Sequence, residues 1–155
     1  MASIFIMRGI PGAGKSTWVR NNCPEAHVCS ADDFFVGEDG VYRFDGELIP
    51  QAHASCLRNF VSCMESLSGA PAKGPEMIVV DNTGLRAWEI APYYSLGEAY
   101  GHSVEIVHVE CDAETALSRN VHGVSRERMQ EMSENLRKEV LPSFWKLRRV
   151  DGRGS

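Results

Sequence analysis

The chain has 155 residues, of which 43% are hydrophobic and 24% charged, with a formal net charge of −5. That make-up belongs to an ordinary globular protein and excludes a disulfide scaffold, a collagen repeat and a long disordered tail. The length leaves room for one core and one cleft rather than two domains.

No run approaches the roughly 18 apolar residues of a membrane span. Met1 to Gly9 has neither the basic region nor the cleavage pattern of a signal peptide. A cytoplasmic protein with no membrane partner is therefore expected. The five cysteines, Cys23, Cys29, Cys56, Cys63 and Cys111, are odd in number and contain no Cys-x-x-Cys pair, as expected of free, mostly buried thiols.

Ile4 to Met7 is a short apolar run stopped by glycine, the pattern of a buried parallel strand. Gly9-Ile10-Pro11-Gly12-Ala13-Gly14-Lys15-Ser16 follows with the spacing glycine, four residues, glycine, lysine, serine, and a helix is expected from Lys15 to about Asn22. Strand, loop and helix in that order make a phosphate-binding loop. Its glycines let backbone N–H groups turn around phosphate oxygens, Lys15 can reach the β- and γ-phosphates, and Ser16 can ligate magnesium. ATP and Mg²⁺ are the expected cofactors. Gly9, Pro11, Gly12, Ala13, Gly14, Lys15, Ser16 and Thr17 are the expected nucleotide contacts.

A second strand, Ala26 to Ser30, runs into Ser30-Ala31-Asp32-Asp33-Phe34-Phe35. A carboxylate at that end of a strand lies on the same side of the sheet as the loop and can accept a proton from an attacking hydroxyl. Asp32 is the candidate base; the alternative is that Asp32 and Asp33 only cap the next segment. From Pro50 to Leu67 apolar residues recur every three or four positions, predicting an amphipathic helix, and residues 68–75 read as a loop.

The third strand, Met77 to Val80, ends in Asp81-Asn82-Thr83, where Asp81 is placed to hold magnesium and its water. Asn82 and Thr83 either touch the acceptor, with Asp33, Phe34 and Phe35, or form the turn. A helix over Ala87 to Tyr100, a strand over Val104 to Val109 and helices over Asp112 to Asn120 and Ser125 to Leu141 complete the chain, with Asp112 and Ser125 as N-caps. Residues 1–150 are expected to form one P-loop kinase domain and residues 151–155 a flexible tail. The alternation predicts an α/β P-loop NTPase: a parallel sheet of about four to five strands covered by helices on both faces, with a helical lid near the C-terminus.

Charge is unevenly placed. Residues 1–118 carry 7 lysines and arginines against 16 acidic residues, a net −9, and residues 119–155 carry 9 against 5, a net +4. The basic end can attract a nucleotide or a polyanion, while the acidic remainder argues against wrapping long duplex DNA. Arg119 and Arg126, on the connection between two predicted helices, are expected to close over the triphosphate and stabilise charge during transfer. The alternative is surface salt pairing, to which Arg128 is assigned with Glu131 or Glu134 as partner. The five histidines have no metal-ligand spacing. Trp18, Phe34, Phe35, Phe44, Trp88 and Trp145 are core residues by default, with base stacking as the alternative.

The loop Gly9 to Thr17, Ser30-Ala31-Asp32-Asp33, Val80-Asp81-Asn82-Thr83 and Arg119-Asn120 resemble bacteriophage-type polynucleotide kinases and related AAA-type, P-loop kinase-like domains, over about residues 3–141. The resemblance implies that Asp32 orients or deprotonates a 5'-hydroxyl, that Lys15 and Ser16 serve triphosphate and magnesium, and that the lid arginine is Arg119 or Arg126. Phe35 stands where the phage enzymes carry an arginine that grips the acceptor's adjacent phosphate, so acceptor recognition differs here. Glu38-Asp39-Gly40-Val41-Tyr42 and His122-Gly123-Val124-Ser125-Arg126 look closer to a eukaryotic and viral branch of these domains. The activity implied is transfer of the γ-phosphate of ATP to a hydroxyl of DNA or RNA, a 5'-hydroxyl end first. A hydroxymethylated base in DNA, presented to an aromatic platform such as Phe34 or Phe35, comes second, and a nucleoside or small molecule third. A slow ATP-dependent switch that uses the helix after Ser125 for a partner is the rival from another class.

Overall fold

The computed structural model describes residues 1–67, 76–120 and 123–153. The loop expected over residues 68–75, residues 121 and 122 of the expected lid, and the last two residues of the expected tail lie outside that set. Five parallel strands form one sheet: β1 (Ser3–Arg8), β2 (His27–Cys29), β3 (Met77–Asp81), β4 (Ser103–Glu110) and β5 (Leu147–Asp151), in the order β2-β3-β1-β4-β5. The helices are α1 (Lys15–Asn22), α2 (Ile49–Ser66), α3 (Ala87–Ala99), α4 (Ala113–Ser118) and α5 (Arg126–Lys138). This is the P-loop kinase-like α/β fold.

The near-continuous apolar runs of β1, β3 and β4 follow from burial on both faces, because successive side chains alternate between them. Ile4, Ile6, Ile78, Val80, Val104 and Ile106 meet Cys56, Phe60 and Met64 of α2 and Ile90, Tyr93 and Tyr94 of α3. Met7, Val79, Val107 and Val109 meet Val19 of α1, Ala116 of α4 and Met129 and Met132 of α5. The chain leaves β1 to one side for β2 and β3 and returns to the other for β4 and β5, so the order reverses beside β1. A ligand crevice forms at the carboxyl ends of the strands at such a point, and the phosphate loop and Asp81 both leave the sheet there.

The predicted helix ends fall within a few residues of those observed, and Asp112 and Ser125 cap as expected: Asp112 Oδ2 accepts from Thr115 N at 2.9 Å and Ser125 Oγ from Arg128 N at 3.2 Å. The C-terminus differs. The flexible tail expected from residue 151 gives way to a strand through Asp151, beyond which Gly152 N donates to Glu110 O at 2.8 Å. β5 escapes a hydrophobic pattern because its charged side chains are satisfied sideways: Arg148 pairs with the buried Glu105 at 2.7 Å, as does Lys146 just before the strand at 3.1 Å, and Arg149 pairs with Glu110 at 3.2 Å.

His108 sits on β4 between Arg8 of β1 and Arg149 of β5, with Arg149 Nη1 3.1 Å from its Nδ1. Burial, and then the two guanidinium charges, hold it down at about 4 from an ordinary 6.5, against a smaller opposing pull from Glu110. Between those values the unfolded chain binds more protons than the folded one, so the stability conferred by a neutral His108 is full above pH 6.5 and lost as pH falls toward 4. The unfolding free energy should fall across that window, and His108→Asn should reduce the fall by up to about 3 kcal/mol, read by denaturant unfolding at each pH. A variant that keeps the wild-type pH slope would show that His108 is not its cause.

Candidate active site

The carboxyl ends of β1, β2 and β3, with the start of α1 and the α4–α5 connection, enclose a cleft of about 1010 Å³. Pro11, Gly12, Gly14, Lys15, Ser16 and Thr17 line its floor. The loop needs glycine at two of these positions for different reasons. Gly14 caps α1 at φ 108°, in the left-handed region open mainly to glycine. Gly12, at φ 83°, lies so close to α4 that a Cβ there would stand 2.4 Å from Ala116 O.

Gly9 and Ala13 were expected to touch the nucleotide but do not line the cleft; they support the loop. Gly9 N donates to Thr83 O at 2.9 Å, and Ala13 is buried against the α1, α4 and α5 side of the sheet. Lys15 Nζ donates to Gly9 O at 2.8 Å and Ile10 O at 3.0 Å, folded back over the loop's mouth. Burial pulls its ammonium below the usual lysine range, and Asp81 and Asp32 oppose that pull.

Asp32 and Asp81 line the same cleft, Asp81 at the end of the strand paired with β1 and both near enough to act on the Lys15 charge. Ser30 Oγ accepts from Asp32 N at 3.2 Å and starts a 3₁₀ turn over Ala31–Phe35. Asn82 Oδ1 accepts from Ala31 N at 2.9 Å and its amide donates to Cys56 Sγ at 3.6 Å, so Asn82 clasps the turn carrying Asp32 to the end of β3. Burial raises the Asp81 carboxyl; Lys15 lowers it, and Asp32 and Asp33 push it up again. Asp33 is raised by burial and by Asp32. Carboxylates that repel one another beside a serine hydroxyl suit a divalent cation. Mg²⁺ ordinarily takes one or two carboxylates plus phosphate and water oxygens, so Ser16 and Asp81 fit it without a closed protein cage. Among the described residues no group of three or more histidine, cysteine, aspartate or glutamate side chains could hold a metal.

The arginines sort differently from the expectation. Arg119 lines the cleft, and its Nη1 donates to Gly152 O at 2.8 Å and to Gly12 O at 3.4 Å, bridging the phosphate loop to the end of β5. Arg126 turns away and pairs with Glu114 on the protein's surface. Two residues on, Arg128 reaches the cleft although it also pairs with Glu131 at 3.1 Å, and Arg20 lines the cleft from α1. The first turn of α5 decides this, because residues two apart on a helix point in different directions.

Phe34, Phe35 and Asp33 do not line the cleft, whereas Tyr42, Phe44, Asn82 and Thr83 do. Phe35 is buried and supports Phe44, which is exposed rather than in the core, and Tyr42, which is not among the expected site residues, with ring centroids 5.1 and 6.1 Å away. The signal for them was alternation after an Asp-Gly turn, which puts Tyr42 and Phe44 on one side of the strand-like segment. Among the described residues no helix is long and apolar enough to cross a membrane.

A family model described as an AAA domain, AAA_33, matches residues 4–144, and the chain belongs to that family. The chain is 31% identical over 146 residues to human NEDD4-binding protein 2, covering 88% of this chain and 8% of that protein. It is 22% identical over 151 residues to the 2',3'-cyclic-nucleotide 3'-phosphodiesterase of Rattus norvegicus, covering 92% of this chain and 33% of that one. The chain thus spans a small part of the length of these relatives. Among solved structures, an unliganded sugar kinase from Janibacter sp. HTCC2649 superposes with a TM-score of 0.61 at 19% identity, over 99% of this chain and 86% of the other. That likeness shows the shared fold.

The arginine placement can be tested by nucleotide affinity. Arg119→Ala should weaken binding of a nontransferable ATP analogue by about 10-fold or more, the loss of one charge-assisted contact and of the loop's brace. Arg126→Ala should leave it within about 2-fold, as exposed pairs contribute little. Equal losses in the two variants, measured by calorimetry, would contradict the geometry.

Proposed function

We propose that this AAA-domain chain is an ATP-dependent kinase that moves the γ-phosphate to a hydroxyl of a nucleic acid, with a 5'-hydroxyl end as the leading acceptor. The observation that carries the proposal is one cleft lined by two chemically distinct sets of groups: a phosphate loop with Lys15, Arg119, Arg128 and Arg20, and the Asp32 carboxylate. A protein that only held a nucleotide has no need for an exposed carboxylate facing its phosphates. The relative named for a cyclic nucleotide supports a nucleic-acid acceptor.

The acceptor oxygen forms a bond to the γ-phosphorus as the bond from that phosphorus to the oxygen bridging it to the β-phosphate breaks. The leaving ADP keeps that electron pair, and the hydroxyl proton passes to the Asp32 carboxylate and then to water. Lys15 exchanges its two loop carbonyls for phosphate oxygens, the loop N–H groups hold the β-phosphate, and Arg119 offsets charge developing on the transferred group. Ser16 and Asp81 would hold magnesium, Asp81 directly or through water, and the ion would supply neutralisation of phosphate charge.

A specific observation favours a second reading, an uncharged nucleoside or other small hydroxyl compound as acceptor. The acceptor-side segment 31–49 holds Asp32, Asp33, Glu38, Asp39, Asp45 and Glu47 against Arg43 as its one basic residue, and Arg43 is tied to Asp39 at 2.7 and 3.1 Å. Such a wall does not attract a phosphate backbone. A hydroxymethylated base in DNA has the same difficulty with its flanking phosphates.

Asp32→Asn tests the common core of these readings. It should lower transfer of labelled γ-phosphate by about 100-fold or more while ATP affinity stays within about 2-fold. Unchanged transfer would overturn Asp32 as the base, and ATP turnover that is unchanged and needs no acceptor would favour a switch.

A further inference from the structure

Resting on the kinase reading above, we propose that Phe44 and Tyr42 form a stacking platform that seats the nucleobase beside the accepting hydroxyl, and that acceptor affinity comes from this ring rather than from any phosphate. Both side chains line the cleft together with Asp32. Phe44 is 60% exposed and Tyr42 41%, a large apolar surface left open in a segment otherwise crowded with carboxylates. Exposed aromatic faces in a cleft are unfavourable in water and are kept where a ligand covers them.

The platform is built rather than incidental. Buried Phe35 lies beneath both rings, and Phe35 O accepts from Arg43 N at 2.8 Å. Val36 pairs with Tyr42 in an antiparallel bridge, and Gly37 N donates to Val41 O at 3.0 Å. Asp39 closes the turn by accepting from Val41 N at 3.0 Å and clamping Arg43. Rings fixed in this way cost little entropy when a planar ligand stacks on them.

The surrounding chemistry selects the ligand class. Asp39 already holds the guanidinium of Arg43, so the platform offers an aromatic face and carboxylates. That suits an uncharged flat ring and repels a phosphate. Tyr42 OH donates to Asp32 Oδ1 at 3.5 Å, which couples the platform to the proposed base. A ring stacked there with a hydroxyl directed at Asp32 is a nucleoside unit. The same unit occurs as a free nucleoside and at the 5'-hydroxyl end of an oligonucleotide. Base stacking on an aromatic side chain tolerates every base because each has a π-face, so little sequence preference is expected.

The test compares wild type, Phe44→Ala and Phe44→Trp with three acceptors: thymidine, a 5'-hydroxyl oligonucleotide, and the same oligonucleotide with an abasic 5'-terminal sugar. Wild type should use the abasic end with a KM about 5- to 100-fold above that of the intact end. Phe44→Ala should raise KM for base-bearing acceptors by a similar factor with kcat and the KM for ATP little changed, and should erase the discrimination against the abasic end. Phe44→Trp should restore both. A KM for thymidine close to that of the oligonucleotide identifies the nucleoside as sufficient; a much lower KM for the oligonucleotide, carried by its phosphates, overturns the claim that the ring supplies affinity. Equal use of abasic and intact ends, or a Phe44→Ala enzyme with wild-type KM, also overturns it. Saturation-transfer NMR with thymidine and a nontransferable ATP analogue keeps the test independent of catalysis. Thymidine binding that is lost in Phe44→Ala supports the platform even if no acceptor is phosphorylated, an outcome that would sink the kinase reading alone. No thymidine binding to wild type overturns the platform.

Discussion

Backbone approaches that only glycine permits hold the phosphate loop in place. Gly12 meets the carbonyl of Ala116 on α4, and Gly152 meets the carbonyl of Ala13, where a Cβ would stand 1.8 Å away. Arg119 fastens the same three pieces by donating to Gly12 O and Gly152 O. The loop's shape is therefore set from outside as much as by its own glycines, and it depends on α4 and on the strand that follows α5. A preorganised set of N–H groups is what makes such a loop bind phosphate strongly, because the cost of ordering it is met when the protein folds.

From that anchor the cleft acquires two electrical characters. On the loop side, Lys15 with Arg20, Arg119 and Arg128 gathers positive charge beside the N-terminus of α1, the surroundings a triphosphate requires. Asp32 and Asp81 line the same cleft from the ends of β2 and β3, Ser30 and Asn82 hold the turn that carries Asp32, and the hairpin beyond it adds aromatic rings and more carboxylates. The proposed division of labour rests on this contrast: the basic groups are suited to anionic phosphate, and the carboxylate and aromatic groups to the carrier of an accepting hydroxyl. The buried charges away from the cleft serve the sheet. Arg8 donates to the carbonyls of Gly84, Leu85 and Leu136, and Glu105 takes Arg148 of β5 and Lys146 just before it.

The phosphate loop and the carboxylates after β2 and β3 were legible in the sequence because their chemistry is confined to a few adjacent residues next to a strongly apolar strand. The central strands were legible for the same reason, being buried on both faces. β5 was not, because Arg148, Arg149 and Asp151 leave little hydrophobic pattern and its place depends on pairing with β4. Arg126 and Arg128 could not be told apart, since the difference lies in which way the first turn of α5 faces. The aromatic lining is half legible. Base stacking is open to Phe34, Phe35 and Phe44 in the sequence, and of these Phe44 lines the cleft, while Phe35 turns inward as the support and Tyr42, which no motif marks, takes the other open position, a consequence of a hairpin closed by Asp39 and Arg43.

The measurement that bears most directly on the proposed kinase cleft is transfer of radiolabelled γ-phosphate from ATP to a panel of hydroxyl acceptors: 5'-hydroxyl DNA and RNA, hydroxymethyluracil-containing DNA with blocked ends, and free nucleosides. Label that depends on magnesium and appears on a 5'-hydroxyl, of oligonucleotide or nucleoside, is the expected result. No label on any of them, with ATP bound normally, would contradict a nucleic-acid or nucleoside kinase and leave the cleft a nucleotide-binding site with another task.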